Sequence, residues 1–268
     1  MSMIDLSWWQ LSLAAALVVA LAICTHIARL QLGKPLIIAA VRTAIQLALV
    51  GVILEALFAV GTLLWVSLLG LAMLLFAGQQ VVSRQKYRLR GGWSFAIGTL
   101  SMLVSAFSVT ILSLVVLIGP QPWYQPQYSI PLLGMLLGNT MTGVALGLDR
   151  LTESMRRSSD IIENRLMLGE TWRQASIEFR RDAMRAGLMP TINMMAAAGI
   201  VFLPGMMTGQ ILAGTAPTIA VKYQILIMFT IAAGTGFGTF VAVALCAKYL
   251  FDDRERLCLS RLKIENNS

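Results

Sequence analysis

The residues of this chain that could do chemistry fall into two groups. The first is a polar island, Arg150 to Gly187, which carries eight arginines against six acids and no proline. At that density the side chains serve ion pairing and docking, not covalent catalysis. A charge at the centre of a bilayer costs at least about 2.5–3.5 kcal/mol, so the island must lie in water or on a partner. Leu151, Met155, Ile162 and Leu166 recur along it at helical spacing, which makes one apolar stripe. Gly169 interrupts, and Trp172, Ile177 and Phe179 supply anchors for a second segment. Balanced charge suits a protein groove; a solvated helix pair lying on anionic lipid is the plainer alternative. Glu163 to Gly187 is therefore the candidate docking element. Trp172 is its expected hot spot, because aromatic anchors dominate interfaces, and Arg181 lies nearer the rim.

The second group is polar residues inside apolar runs. Arg42, Gln46 and Glu55 share one run. Charges there mark a pathway when they face a bundle interior, or snorkel to the two interfaces. Asn139 and Thr140 sit between the small-xxx-small pairs Gly134/Gly138 and Gly143/Gly147. They read as interhelical glue or as lining of a path. Asn193 lies among Met189, Met194, Met195, Met206 and Met207. Thioethers suit soft cations such as Cu(I), and they also fill irregular cores, so the metal ligands stay open. Arg42, Gln46, Asn139 and Asn193 are expected to face a shared interior. Catalytic signatures are missing. The chain has a single histidine, His26, and Cys24, Cys246 and Cys258 lack metal or redox spacing. It has neither a Gly-x-x-x-x-Gly-Lys-[Ser/Thr] phosphate loop nor a Gly-x-Ser-x-Gly elbow. No residue is assigned as catalytic, and energy for transport has to come from a partner or a gradient.

Long apolar elements must position both groups. The chain has 268 residues, 57% hydrophobic and only 13% charged, where soluble domains average about 25% charged. That composition specifies an integral membrane protein. The net charge of +8 belongs to loop arginines and lysines, not to nucleic-acid binding. Seven stretches are long enough to cross about 30 Å of hydrocarbon: Trp8–Ala28, Pro35–Val60, Thr62–Val82, Trp93–Ile118, Pro131–Leu148, Leu188–Ala213 and Tyr223–Leu250. Basic residues concentrate in the odd-numbered connections and the tail, which predicts an outside N-terminus and a cytoplasmic C-terminus. No basic region precedes the first run, so a retained span is expected, not a cleaved leader. The second and third spans, joined around Gly61, are expected to form a tight hairpin. The sixth contains Pro204-Gly205, and proline removes a helix hydrogen bond. A broken helix or re-entrant turn is expected there, tolerated only where protein buries it or a cavity lines it.

Several segments resemble a known family. They are Arg42-Thr-Ala-Ile-Gln46-Leu47, Met135-Leu-Leu-Gly138-Asn139-Thr140-Met141, Leu188-Met-Pro190-Thr-Ile-Asn193 and Leu203-Pro204-Gly205-Met-Met-Thr-Gly209-Gln210-Ile-Leu-Ala-Gly214. Together they are similar to the FetB-type permeases, the membrane subunits of bacterial iron-export ABC transporters, with plant relatives linked to aluminium tolerance. The resemblance spans nearly the whole chain. It implies a separate ATPase subunit, which would bind ATP and Mg, and two copies of each subunit, and it leaves the cargo open between iron and nucleotide sugars. It also brings Gln210 into the path set. Glu170-Thr-Trp172-Arg-Gln-Ala175 and Gly187 look like the coupling loop of ABC permeases, with Glu163, Glu178 and Arg181 beside them. Thr171 departs from the usual Glu-Ala-Ala pattern.

The expected fold is all-α: one transmembrane domain over residues 1–268 with about seven membrane helices, a coupling segment at 150–187 and a tail at 251–268. The expected function is a bacterial inner-membrane permease, homodimeric and free of cofactors of its own, that exports iron or another metal using a partner ATPase. An ion-coupled secondary transporter with Glu55 or Asp149 as proton carrier is one alternative. A membrane scaffold that recruits a soluble protein is another.

Overall fold

The computed structural model describes residues 7–264, so residues 265–268 of the expected tail lie outside the described residues. The fold is all-helical apart from one two-stranded ladder. In chain order the elements are α1 (Trp8–Ile27), α2 (Gly33–Val60), α3 (Leu63–Ser83), β1 (Tyr87–Leu89), α4 (Trp93–Met102), α5 (Ser108–Leu112), α6 (Pro126–Arg157), α7 (Ser159–Met167), α8 (Trp172–Ala175), α9 (Ile177–Ala197), α10 (Gly205–Leu212), α11 (Pro217–Leu250) and β2 (Leu262–Ile264). Pro126 and Pro217 open α6 and α11, where a missing N–H costs nothing. Two π-helical turns, Leu103–Phe107 and Ser113–Ile118, flank α5. The Ser105, Thr110 and Ser113 hydroxyls donate to carbonyls one turn back, a bonding mode that perturbs helices.

Among the described residues, six helices are long and apolar enough to span a membrane: Trp8–Ile27, Gly33–Ala59, Leu63–Ser83, Arg90–Ile118, Pro126–Arg157 and Pro217–Leu250. The expected sixth span, Leu188–Ala213, is not one of them. It is divided between the end of α9, an irregular stretch and α10. The reason is local. The Gly199 amide donates forward to the Phe202 carbonyl, and Pro204 is extended and caps α10. The fifth span also differs, because α6 runs on through Arg150 to Arg157 as one helix. The Leu151–Leu166 stripe is interrupted at Ser158, yet Leu151, Met155 and Ile162 are all buried.

Helix directions follow from the close contacts. On α6, Leu136 and Thr140 meet Gly234, Gly143 meets Thr235 and Thr239, and Gly147 meets Val243. Partners on α11 rise as α6 rises, so the two helices are parallel. On α9, Gly143 meets Gly187 while Gly147 meets Ala183, so α9 is antiparallel to both. The same test makes α3 parallel to α6, through Gly70–Leu133 and the Arg84–Thr142 hydrogen bond. α3, α6 and α11 therefore end together at one polar layer, and the path through α9 and α10 must carry the chain back across the bundle to the start of α11.

The second and third spans do not form the expected hairpin. Gly61 (φ +58°) and Thr62 join them, but their shared packing is confined to that end, where Leu54 and Leu57 meet Val66, Leu69 and Ile130. Beyond it α2 stands off, packed on α1, with no buried residue in its apolar window.

Candidate functional site

The polar layer is built from four segments. The Lys86 amide donates to Asp149 at 2.8 Å, and β1 pairs antiparallel with β2 of the tail. The Arg156 guanidinium stands over the Tyr87 ring. Arg150 pairs with Asp182 at 2.6 Å, tying α6 to α9, and Arg165 pairs with Glu178 at 3.0 Å, tying α7 to α9. Both pairs are partly exposed, so each is worth about 1 kcal/mol or less; their effect is to fix orientation.

Trp172 sits inside this frame. Thr171 caps α8 through a capping box, the Trp172 amide donates to Glu255 at 2.9 Å, and its ring packs on Phe251. The Arg173 and Arg180 guanidiniums stand over the same ring. Burial first, then Arg173 and Arg181, push the Arg180 pKa below its ordinary value. Trp172 thus anchors the docking segment to the chain's own tail. The side chains that project are Met167 and Leu168, 76% and 85% exposed at the α7–α8 turn. Glu163 is exposed and Glu170 half-buried; they share a groove with Met167 and with Arg254, Glu255 and Arg256 of the tail. Ala175 is buried, Glu178 is held by Arg165, and Arg181 is exposed. Gly187 lies deep at the α6–α9–α11 crossing.

The expected path residues are not brought together within one chain. Arg42, Gln46 and Glu55 are exposed on α2, and Asn193 is exposed on α9. Asn139 is half-buried, and its amide donates to the Met135 carbonyl of its own helix at 2.8 Å. Thr140 is fully buried against Gly234 and Gly238. The shared interior expected for Arg42, Gln46, Asn139 and Asn193 is absent among the described residues, because α2 stands off from the body.

A cavity of about 460 Å³, open at the surface where Leu203, Ile225 and Phe229 are exposed, lies instead at the break between α9 and α10. Met195 lines it from α9, Gly199, Leu203 and Pro204 from the break, Met207 from α10, and Gln224 and Met228 from α11. Gly205 opens α10 beside it. Gln224 is 9% exposed, and its Oε1 has no hydrogen-bond donor. The Oε1 of Gln210 is likewise buried and unpartnered, one turn beyond Met207 on the same face of α10. α10 starts beside Gln224 and ends four residues before α11, so it continues outward from α9. The break is a jog in a crossing, not a re-entry. Gln224 and Met228 were missed in the sequence. Gln224 left one signal, as the single amide in the long apolar α11.

A family model described as "Uncharacterised protein family (UPF0014)" matches residues 8–251. The chain is 38% identical over 260 residues to the UPF0014 membrane protein slr1647 of Synechocystis sp. (strain ATCC 27184 / PCC 6803 / Kazusa), covering 96% of this chain and 98% of that one. It is 33% identical to the "Probable iron export permease protein FetB" of Escherichia coli (strain K12), covering 95% and 96%. It is 32% identical to Protein ALUMINUM SENSITIVE 3 of Arabidopsis thaliana, covering 87% and 84%. No solved structure matches the chain.

Proposed function

The chain belongs to the UPF0014 family, and from that premise we propose that it is the membrane permease of an ABC exporter for a metal ion, driven by a separate ATPase subunit. The resemblance read from the Arg42, Asn139, Asn193 and Leu203–Gly214 segments is borne out at the level of the family. Iron export is in the printed name of the E. coli relative and supports a metal as cargo. The observation that carries the ATPase reading is the α7–α8 tip. Met167 and Leu168 project from a layer otherwise rich in charge, and exposed apolar residues rimmed by polar ones mark protein contacts. The tip is braced to α9 by Arg165–Glu178, and α9 leads directly to the break. Pressure on the tip would therefore move α9 against α6 and α11 and reshape the cavity.

On this reading the polar layer is cytoplasmic, the N-terminus lies outside, and the membrane is the bacterial inner membrane. A second copy of the chain covers α2 and encloses Arg42, Gln46 and Glu55. The test is affinity purification of the tagged chain from its native host. The expected eluate contains an ABC ATPase, with two permease copies per particle by light scattering. Leu168→Asp should remove the ATPase while leaving the permease inserted. An eluate with no ATPase, or one unchanged by Leu168→Asp, overturns the assignment.

A further inference from the structure

We propose that the cavity at the α9–α10 break is a binding site for soft, thioether-seeking cations of the Cu(I) and Ag(I) type, held by Met195, Met207 and Met228 with the Gln224 carbonyl. As an assignment of cargo class, it rests on the permease reading above. Three observations carry it. First, methionines from three separate elements converge on one space. Six of the chain's fifteen methionines, Met189, Met194, Met195, Met206, Met207 and Met228, fall within forty residues around the break. Second, these thioethers do not fill the space they line. About 460 Å³ stays open here as a groove that reaches the surface, with Met195, Ile225 and Phe229 exposed along it, so an ion has a way in to the sulfurs. Third, Gln224 Oε1 is buried at the cavity wall without a donor. A buried acceptor left unpaired costs about 1–3 kcal/mol, and a cation removes that penalty.

The chemistry of the wall sets the class. Thioether sulfur prefers soft cations, while carboxylate and water suit hard ones. Among the described residues no three His, Cys, Asp or Glu side chains form a metal-binding group. The walls carry no formal charge, so a monovalent ion is favoured over Al(III) or Fe(III), whose desolvation costs far more. The cavity exceeds the size of one ion, and methionine's unbranched stem has three rotatable bonds. Three such stems can swing inward on the ion, and the remaining room holds the water or small ligand that travels with it.

The test uses the full chain in detergent with Cys24, Cys246 and Cys258 replaced by alanine, so that thiolates do not compete. Ag(I) is titrated without any ATPase, and bound silver is counted after dialysis. About one silver per chain is expected, with sulfur-dominated coordination by X-ray absorption and no competition from excess Al(III). A triple Met195→Leu, Met207→Leu, Met228→Leu variant keeps side-chain volume and should lose at least tenfold in affinity. Where the cysteine-free chain is not monodisperse, the same comparison is made with all three thiols present, and a loss of one silver per chain supports the site. Unchanged affinity and stoichiometry in the triple variant, or no binding to the cysteine-free chain, overturns it. Metal export by cells is measured separately. Loss of silver binding in the triple variant without loss of export leaves the site standing and removes it from the transport path.

Discussion

Gly187→Ala tests whether this glycine serves the helix crossing or the ATPase contact that the family resemblance implies. A Cβ at position 187 would lie 2.5 Å from the Gly143 carbonyl oxygen and 2.7 Å from Thr239 Cγ2. The first obstacle is backbone and cannot rotate away; the second is a side-chain methyl. Overpacking costs about 1–3 kcal/mol, and the backbone clash places this substitution near the upper end. About 3 kcal/mol is roughly 100-fold in the folding equilibrium. Thr239→Ser in the Gly187→Ala background removes the methyl and leaves the carbonyl, so it should recover only part of the loss. Gly205→Ala is the control, since no atom outside its own neighbourhood lies within 4 Å of an added Cβ. The assay is unfolding of purified protein by SDS titration, followed by circular dichroism. Wild-type stability for Gly187→Ala would refute the packing argument. If ATPase recruitment fails in that stable variant, Gly187 is a coupling residue after all.

Two further predictions concern the tail. Trp172→Ala removes a ring pair with Phe251, and such pairs contribute about 0.5–1.5 kcal/mol beyond burial. Trypsin should then cut at Arg254 and Arg256 up to about tenfold faster, while ATPase capture falls less than for Leu168→Asp; the reverse order would return the hot spot to Trp172. Asp252 accepts the Arg256 and Arg254 amides and the Arg256 guanidinium, and the Arg256 amide bond is the largest cause holding its carboxyl below the ordinary range. Because the folded pKa is depressed, its stabilisation is complete above the ordinary carboxylate pKa and is lost only as pH falls through the lower folded value. Exchange of the Arg254 and Arg256 amides, corrected for intrinsic rates, should be flat from pH 7 to 5 and rise only in stronger acid; a rise already between pH 6 and 5 would contradict the cap.

Composition and run length along the chain fix the solvent of each segment. Hydrocarbon accepts long apolar helices and rejects a segment such as Arg150–Gly187, so six of the expected spans and the polar layer were readable from composition and length. The break was readable too, because Pro204-Gly205 joins a residue without a helix N–H to a weak helix former, whereas Pro131 and Pro190, each without a following glycine, are accommodated inside α6 and α9. Which side chains meet depends instead on how the helices pack. Met195, Met207, Gln224 and Met228 belong to three elements, and no local periodicity says that their faces converge. Trp172 looked like an outward anchor until the tail folded back and placed Phe251 and Glu255 against it. Arg42 and Asn139 looked like partners because both are polar at depth, yet α2 packs on α1 and leaves Arg42 exposed. Depth in a membrane is one coordinate, set by distance along a helix. Which way a side chain faces, and what packs there, depends on helix rotation and pairing, which are fixed by contacts such as Gly143 on Gly187 and Thr239 between residues far apart in the chain.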